Sequence, residues 1–97
     1  MPTYITLYKL TPKGAAQMKD APARIRKNIE AFEAMGGKLV GFYAVMGEYD
    51  YIGIGEGPND EAAAAFSLAT SATGNVTTTT LRAFTIDEFA EILKKLP

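Results

Sequence analysis

The stretch that decides the fold is Lys38-Leu39-Val40-Gly41-Phe42-Tyr43-Ala44-Val45-Met46, then Gly47-Glu48-Tyr49-Asp50, then Tyr51-Ile52-Gly53-Ile54-Gly55-Glu56-Gly57. Both flanking runs are rich in the β-branched and aromatic residues that suit a pleated surface. Two such runs joined by a Gly-containing four-residue turn make a β-hairpin, and the remaining elements are expected to pack against it.

Upstream, Tyr4 to Leu10 reads as a strand, with Ile5 and Leu7 on one face and Tyr4, Thr6, Tyr8 and Leu10 on the other. Thr11-Pro12 supplies an N-cap and a first-turn proline for a helix weakened by Gly14. Pro22 removes a helical hydrogen bond and clashes with the preceding turn, which predicts a short first segment and a restart near Asp20 to Pro22. Ile25, Ile29 and Phe32 form the apolar stripe of the longer second segment, with Arg24, Arg26 and Lys27 away from it, and Gly36-Gly37 ends it. Downstream, Asn59 caps a thin alanine-rich helix that Gly74 ends. The run Val76 to Phe84, with four consecutive Thr, reads as a strand because Thr is β-branched. Thr85 and Glu88 form a capping box, with Phe84 and Phe89 at the positions of a hydrophobic staple. Phe89, Ile92, Leu93 and Leu96 recur at i, i+3, i+4 and i+7, so the last helix is expected to pack on something.

The order is β-α-β-β-α-β-α. Its first six elements predict an α+β, ferredoxin-like βαββαβ domain over residues 1–97, a four-stranded antiparallel sheet with an extra C-terminal helix.

Composition bounds the chemistry. The chain has no Cys, which excludes thiolate nucleophiles and iron–sulfur clusters. It has no His either, so the commonest general base and transition-metal ligand are missing. Ten basic and eleven acidic residues are spread along the chain, which gives no basic patch for nucleic acid or an anionic membrane. Residues 62–81 carry no charge, but half of them are Ser, Thr, Asn or Gly, so a membrane span is rejected. No metal or other cofactor is expected. The N-terminus enters a strand without a basic or apolar leader pattern, which makes a cytoplasmic protein the default.

Alternation assigns Ile5, Leu7, Val40, Phe42, Ala44, Ile52, Ile54, Leu81 and Ala83 to the helix-covered side of the sheet. It leaves Tyr4, Thr6, Tyr8, Leu39, Tyr43, Val45, Tyr51, Thr78, Thr80 and Arg82 on the other. At about 25 cal/mol per Å2, apolar area on that second face favours burial, and two copies meeting about a two-fold axis would supply it. A homodimer through the non-helical face is therefore expected, with higher oligomers left open.

The tetrad Gly47-Glu48-Tyr49-Asp50 occurs with Thr3-Tyr4-Ile5-Thr6-Leu7-Tyr8-Lys9, Met35-Gly36-Gly37-Lys38, Asp60-Glu61-Ala62, Gly74-Asn75-Val76 and Thr79-Thr80-Leu81-Arg82-Ala83-Phe84. In this combination and order the chain resembles the GYD domain family. The resemblance implies a small bacterial or archaeal protein of the dimeric α+β barrel class, without an established biochemical role. Gly53 and Gly55 are barer than the residues associated with the family there, which reads as room for a ligand.

Two groups of side chains are candidates for chemistry. Glu48 and Asp50 flank Tyr49 at the hairpin tip, where they serve either as acid/base or hard-cation carboxylates or as polar turn residues. Tyr8, Tyr43, Tyr51 and Arg82 either line a barrel cavity, with Arg82 binding a carboxylate, or pack an interface. The glycine-rich Gly53 to Gly57 lacks the order of a phosphate loop. The expected function is a homodimeric small-molecule-binding or regulatory module using the barrel between two sheets. The alternative is a cofactor-independent enzyme, of monooxygenase or isomerase type, acting on an aromatic or enolisable substrate.

Overall fold

The computed structural model describes residues 1–97, with β1 (Thr3–Leu10), α1 (Pro12–Ala16), a 3-10 turn (Met18–Asp20), α2 (Ala21–Ala34), β2 (Lys38–Ala44), β3 (Tyr51–Glu56), α3 (Asp60–Ala72), β4 (Val76–Ala83) and α4 (Ile86–Leu93). The strands form one antiparallel sheet in the order β2-β3-β1-β4, the ferredoxin-like arrangement that the element order predicts. The helix interruption falls at the 3-10 turn before Pro22. All three predicted caps form: Thr11 accepts from Gly14 N, Asn59 accepts from Ala62 N, and Thr85 and Glu88 complete both halves of the capping box.

The assignment of the sheet faces is the principal correction. Tyr4, Tyr8 and Tyr51 are buried under the helices, and Thr78, Thr80 and Arg82 line the α3 side of β4. Ile5, Leu7, Ile52, Ile54 and Leu81 lie on the uncovered face. Alternation gives two sets without saying which one a helix covers, and both sets here are apolar. The deciding element is steric. On β3 the inward positions Gly53 and Gly55 stand opposite Thr6 and Tyr4. A Cβ added to Gly55 would meet the Phe32 ring of α2 at 2.8 Å, and one added to Gly53 would meet Phe42 at 3.2 Å. The rings of Phe32 on α2 and Phe42 on β2 therefore occupy the room that the bare glycines suggested for a ligand. On β4 the inward hydroxyls meet α3: Ser67 and Thr80 are 2.6 Å apart, and Ser71 and Thr78 are 3.2 Å apart.

A second correction concerns β2. Its register slips between Leu39 and Gly41, so one bulge residue inverts the alternation partway along the strand. Leu39 and Phe42 consequently both face the helices. Val40, expected beneath the helices, is exposed, and Tyr43 pairs with Ile52 on the open side at 59% exposure.

The molecule is thin and elongated, 51 × 30 × 19 Å. Its radius of gyration is 14.6 Å, against about 12.5 Å for a compact domain of this length. Two features account for this: the sheet carries helices on one side only, and α4 projects beyond it. α4 packs on no element of its own chain to any extent, with Phe89 50% and Leu96 66% exposed. The packing expected of that helix is thus absent within the chain. Only ten of the 97 residues are buried, which leaves much of the apolar content of one copy in contact with solvent.

Candidate functional site

Hairpin-tip residues Gly47 to Asp50 are held to β1 by four different contacts. Gly47 adopts φ +113°, a left-handed conformation that costs a side-chain-bearing residue, with open space around it. Glu48 pairs with Lys9 at 3.7 Å, and the Lys9 ammonium lies 5.7 Å from the Tyr49 ring centre. Asp50 continues the ladder. β1 pairs with β3 only as far as Tyr8 opposite Tyr51. Beyond that point Asp50 N donates to Tyr8 O at 2.8 Å, and the Asp50 carboxylate accepts from Leu10 N at 2.8 Å. Val45 N donates to Asp50 O at 2.9 Å, closing the tip. The two carboxylates thus make separate contacts, Glu48 with a lysine and Asp50 with a backbone amide.

The four residues Tyr8, Tyr43, Tyr51 and Arg82 do not share a surface. Tyr43 is on the open face, while Tyr8 and Tyr51 pack edge-on beneath α2 with ring centres 6.4 Å apart. Arg82 belongs to a separate cluster at the start of α3. Its Nε lies 3.7 Å from Asp60, which also accepts from the Tyr4 hydroxyl at 2.5 Å, and its guanidinium stacks on Phe84 at 4.6 Å. Burial, together with the hydrogen bond to the Asp60 carboxylate, raises the Tyr4 phenol above its ordinary pKa. Burial raises that of Tyr8 as well. This arrangement makes Arg82 and Tyr4 a clamp on the first turn of α3.

Two features remain open to partners. The first is the uncovered sheet face, where register places Ile5 between Ile54 and Leu81 and places Leu7 opposite Ile52. It is more aliphatic than expected, with Leu81 45% exposed at its β4 edge. The second is a cavity of about 300 Å3 between α2, the end of α3 and the sheet. Its floor contains Tyr8, Phe42 and Tyr51, and its walls include Arg24, Lys27, Asn28 and Asn75. Asn28 donates to Thr70 Oγ1 at 3.1 Å, whereas the buried Asn75 Oδ1 has no hydrogen-bond partner. The sequence reading missed these wall residues. One signal was available: residues 24, 27 and 28 fall on one helical face, so two cations and an amide project together.

A four-stranded antiparallel sheet in the order β2-β3-β1-β4, with helices on one face, defines the class as a small ferredoxin-like α+β protein. The chain belongs to the GYD domain family, whose model matches residues 4–93. It is 35% identical over 95 residues to the "Glutamine synthetase and cystathionine beta-lyase binding protein" of Thermus thermophilus, an alignment covering 97% of this chain and 100% of that relative. No solved structure matches the chain. No helix is long and apolar enough to cross a membrane.

Proposed function

We propose that this protein is a homodimeric regulatory module that binds metabolic enzymes in the cytoplasm. Two copies join through their open sheet faces, and α4 presents its apolar stripe to the enzyme. The observation that carries the reading is the continuous aliphatic patch of Ile5, Leu7, Ile52, Ile54 and Leu81 on a sheet with helices on one side only. A second copy is the matching occupant because the patch is aliphatic and uncharged at its centre, and a two-fold axis would lay aliphatic side chains against their equivalents. The enzyme-binding part draws on the name of the Thermus thermophilus relative, which describes a binding protein for glutamine synthetase and cystathionine beta-lyase. Residues 86–96 suit such binding, because a capped helix exposing Ile86, Phe89, Ile92 and Leu93, followed by the exposed Leu96, can enter a hydrophobic groove with little further ordering.

The test separates the two surfaces. Leu81→Glu is expected to convert the dimer to monomer in sedimentation velocity. Phe89→Glu combined with Ile92→Glu is expected to leave the dimer intact and abolish binding to the organism's own purified glutamine synthetase and cystathionine beta-lyase. A wild-type chain that sediments as a monomer at high concentration refutes the assembly. A wild-type dimer that binds neither enzyme refutes the regulatory role.

A further inference from the structure

We propose that the cavity under α2 is a binding site for a small 2-amino or 2-hydroxy carboxylate with an apolar side chain. Three properties of the cavity converge on that chemistry. Its volume, about 300 Å3, is at the lower end of the range for small-molecule sites. Its floor is a cluster of three aromatic rings: Tyr8 and Phe42 have centres 5.6 Å apart, and Phe42 and Tyr51 5.8 Å. This surface takes an aryl or branched aliphatic group.

The charge at the walls has one sign. Arg24 and Lys27 line the cavity, no Asp or Glu does, and neither cation takes part in an ion pair elsewhere in the protein. Arg24 is held in place by the Gln17 and Gly14 carbonyls, at 2.9 and 3.4 Å. These contacts fix the guanidinium without neutralising it, so a carboxylate remains its best partner.

The third property is the unpartnered acceptor. Asn75 is pinned through its backbone, where its carbonyl accepts from Thr11 N at 3.0 Å and its amide donates to Thr73 Oγ1 at 3.4 Å. The buried Oδ1 finds no donor within the protein, and an unmet buried acceptor calls for a hydrogen from whatever fills the space. Gly14 ties the two polar groups together. Its carbonyl touches Arg24, and its Cα lies so close to Asn75 that an added Cβ would sit 2.1 Å from the Asn75 carbonyl oxygen. Arg24 and Asn75 thus both border the cavity beside Gly14. A ligand serving both carries a carboxylate with an adjacent N–H or O–H, which is the head group of a 2-amino or 2-hydroxy acid. The aromatic floor takes its side chain.

This site is independent of the assembly proposed above, because its residues lie on the helix side of the sheet and none belongs to the open face or to α4. The experiment is isothermal titration calorimetry of the full chain with four probes sharing one body: L-phenylalanine, L-3-phenyllactate, 3-phenylpropanoate and 2-phenylethylamine. At least one of the first two is expected to bind saturably, which also tells the amino acid from the hydroxy acid. Removing the donor (phenylpropanoate) or the carboxylate (phenylethylamine) is expected to weaken binding about tenfold or more, the size of one hydrogen bond to a charged group. Lys27→Glu, an exposed change, and Asn75→Ala should each weaken the best probe about tenfold, with an unreduced Tm for Asn75→Ala in the absence of probe. Absence of saturation by either of the first two, equal affinity for all four, or unchanged affinity in both variants overturns the assignment. If Asn75→Ala fails to fold, Lys27→Glu and the probe series decide alone.

Discussion

Replacing Asp50 with Ala tests whether the hairpin tip is a structural clamp. The Asp50 backbone bonds to Tyr8 and Val45 survive this change, so the perturbation is confined to the 2.8 Å bond from Leu10 N to the carboxylate. Hydrogen bonds to charged groups contribute about 1.5–3 kcal/mol. Asp50 is half-buried, so water partly replaces the lost acceptor, and the loss should fall in the lower half of that range, about 1.5–2 kcal/mol. For a domain of this length each kcal/mol moves Tm by about 4–8 °C, which gives a drop of about 6–16 °C. Urea unfolding at fixed protein concentration, to hold any association constant, should show a lower midpoint with the slope unchanged. Asp50→Asn keeps a neutral acceptor and should recover about half of the loss. A change below about 0.5 kcal/mol for Asp50→Ala, the level of an ordinary surface substitution, would refute the clamp and make a partner-facing role the better account of the tetrad.

Gly14→Ala should destabilise by more than about 2 kcal/mol in the same assay, since the added methyl would overlap the Asn75 carbonyl and push α1 off the start of β4. A neutral result would mean that this close approach is relaxed in solution. Gly55→Val should cost about 1–3 kcal/mol by displacing the Phe32 ring, and a variant as stable as wild type would contradict the face assignment. Stability should fall as pH rises past about 10. Tyr4 and Tyr8 hold their protons more tightly folded than unfolded, so the unfolded chain deprotonates first and gains on the folded one. Their contribution is complete below about pH 10 and lost above it, and Tyr8→Phe should flatten the decline in Tm between about pH 9 and 11. A slope unaffected by that substitution would remove Tyr8 as a cause.

Element order, caps and the helix interruption were legible because each rests on residues adjacent in sequence. Thr11-Pro12, Asn59 and Thr85 with Glu88 act within one helical turn, and the distant fold does not change what they do. Which side of the sheet the helices cover was not legible from alternation, because Ile5-Leu7 and Tyr4-Tyr8 are both apolar enough to be buried. The information was present in a different form. Gly55 is a position that a large helical side chain such as Phe32 can enter, Gly53 leaves room for the Phe42 ring, and the Ser67-Ser71 pair on α3 matches the hydroxyls of Thr80 and Thr78. The bulge after Leu39 left one mark that alternation does not use, the strand-interior Gly41 at the point where the register slips. Of the candidate residues, Tyr8 and Tyr51 do border a cavity, although on the side opposite to the one alternation gave. Tyr43 and Arg82 are separated from it because their strands carry them to other surfaces. Asn75 entered the sequence reading only within the Gly74-Asn75-Val76 segment, because the burial that leaves its Oδ1 without a donor is made by elements distant in sequence.

The line of hydroxyls between α3 and β4 acts as a ruler. Greasy layers tolerate sliding, because dispersion depends weakly on direction, whereas Ser67 and Ser71 meet Thr80 and Thr78 only at one setting along the strand. Shifting the helix by a turn would strand at least one of those oxygens. Thr70 and Thr73, carried on the same turns, are thereby indexed against the hollow they border to within the tolerance of a hydrogen bond.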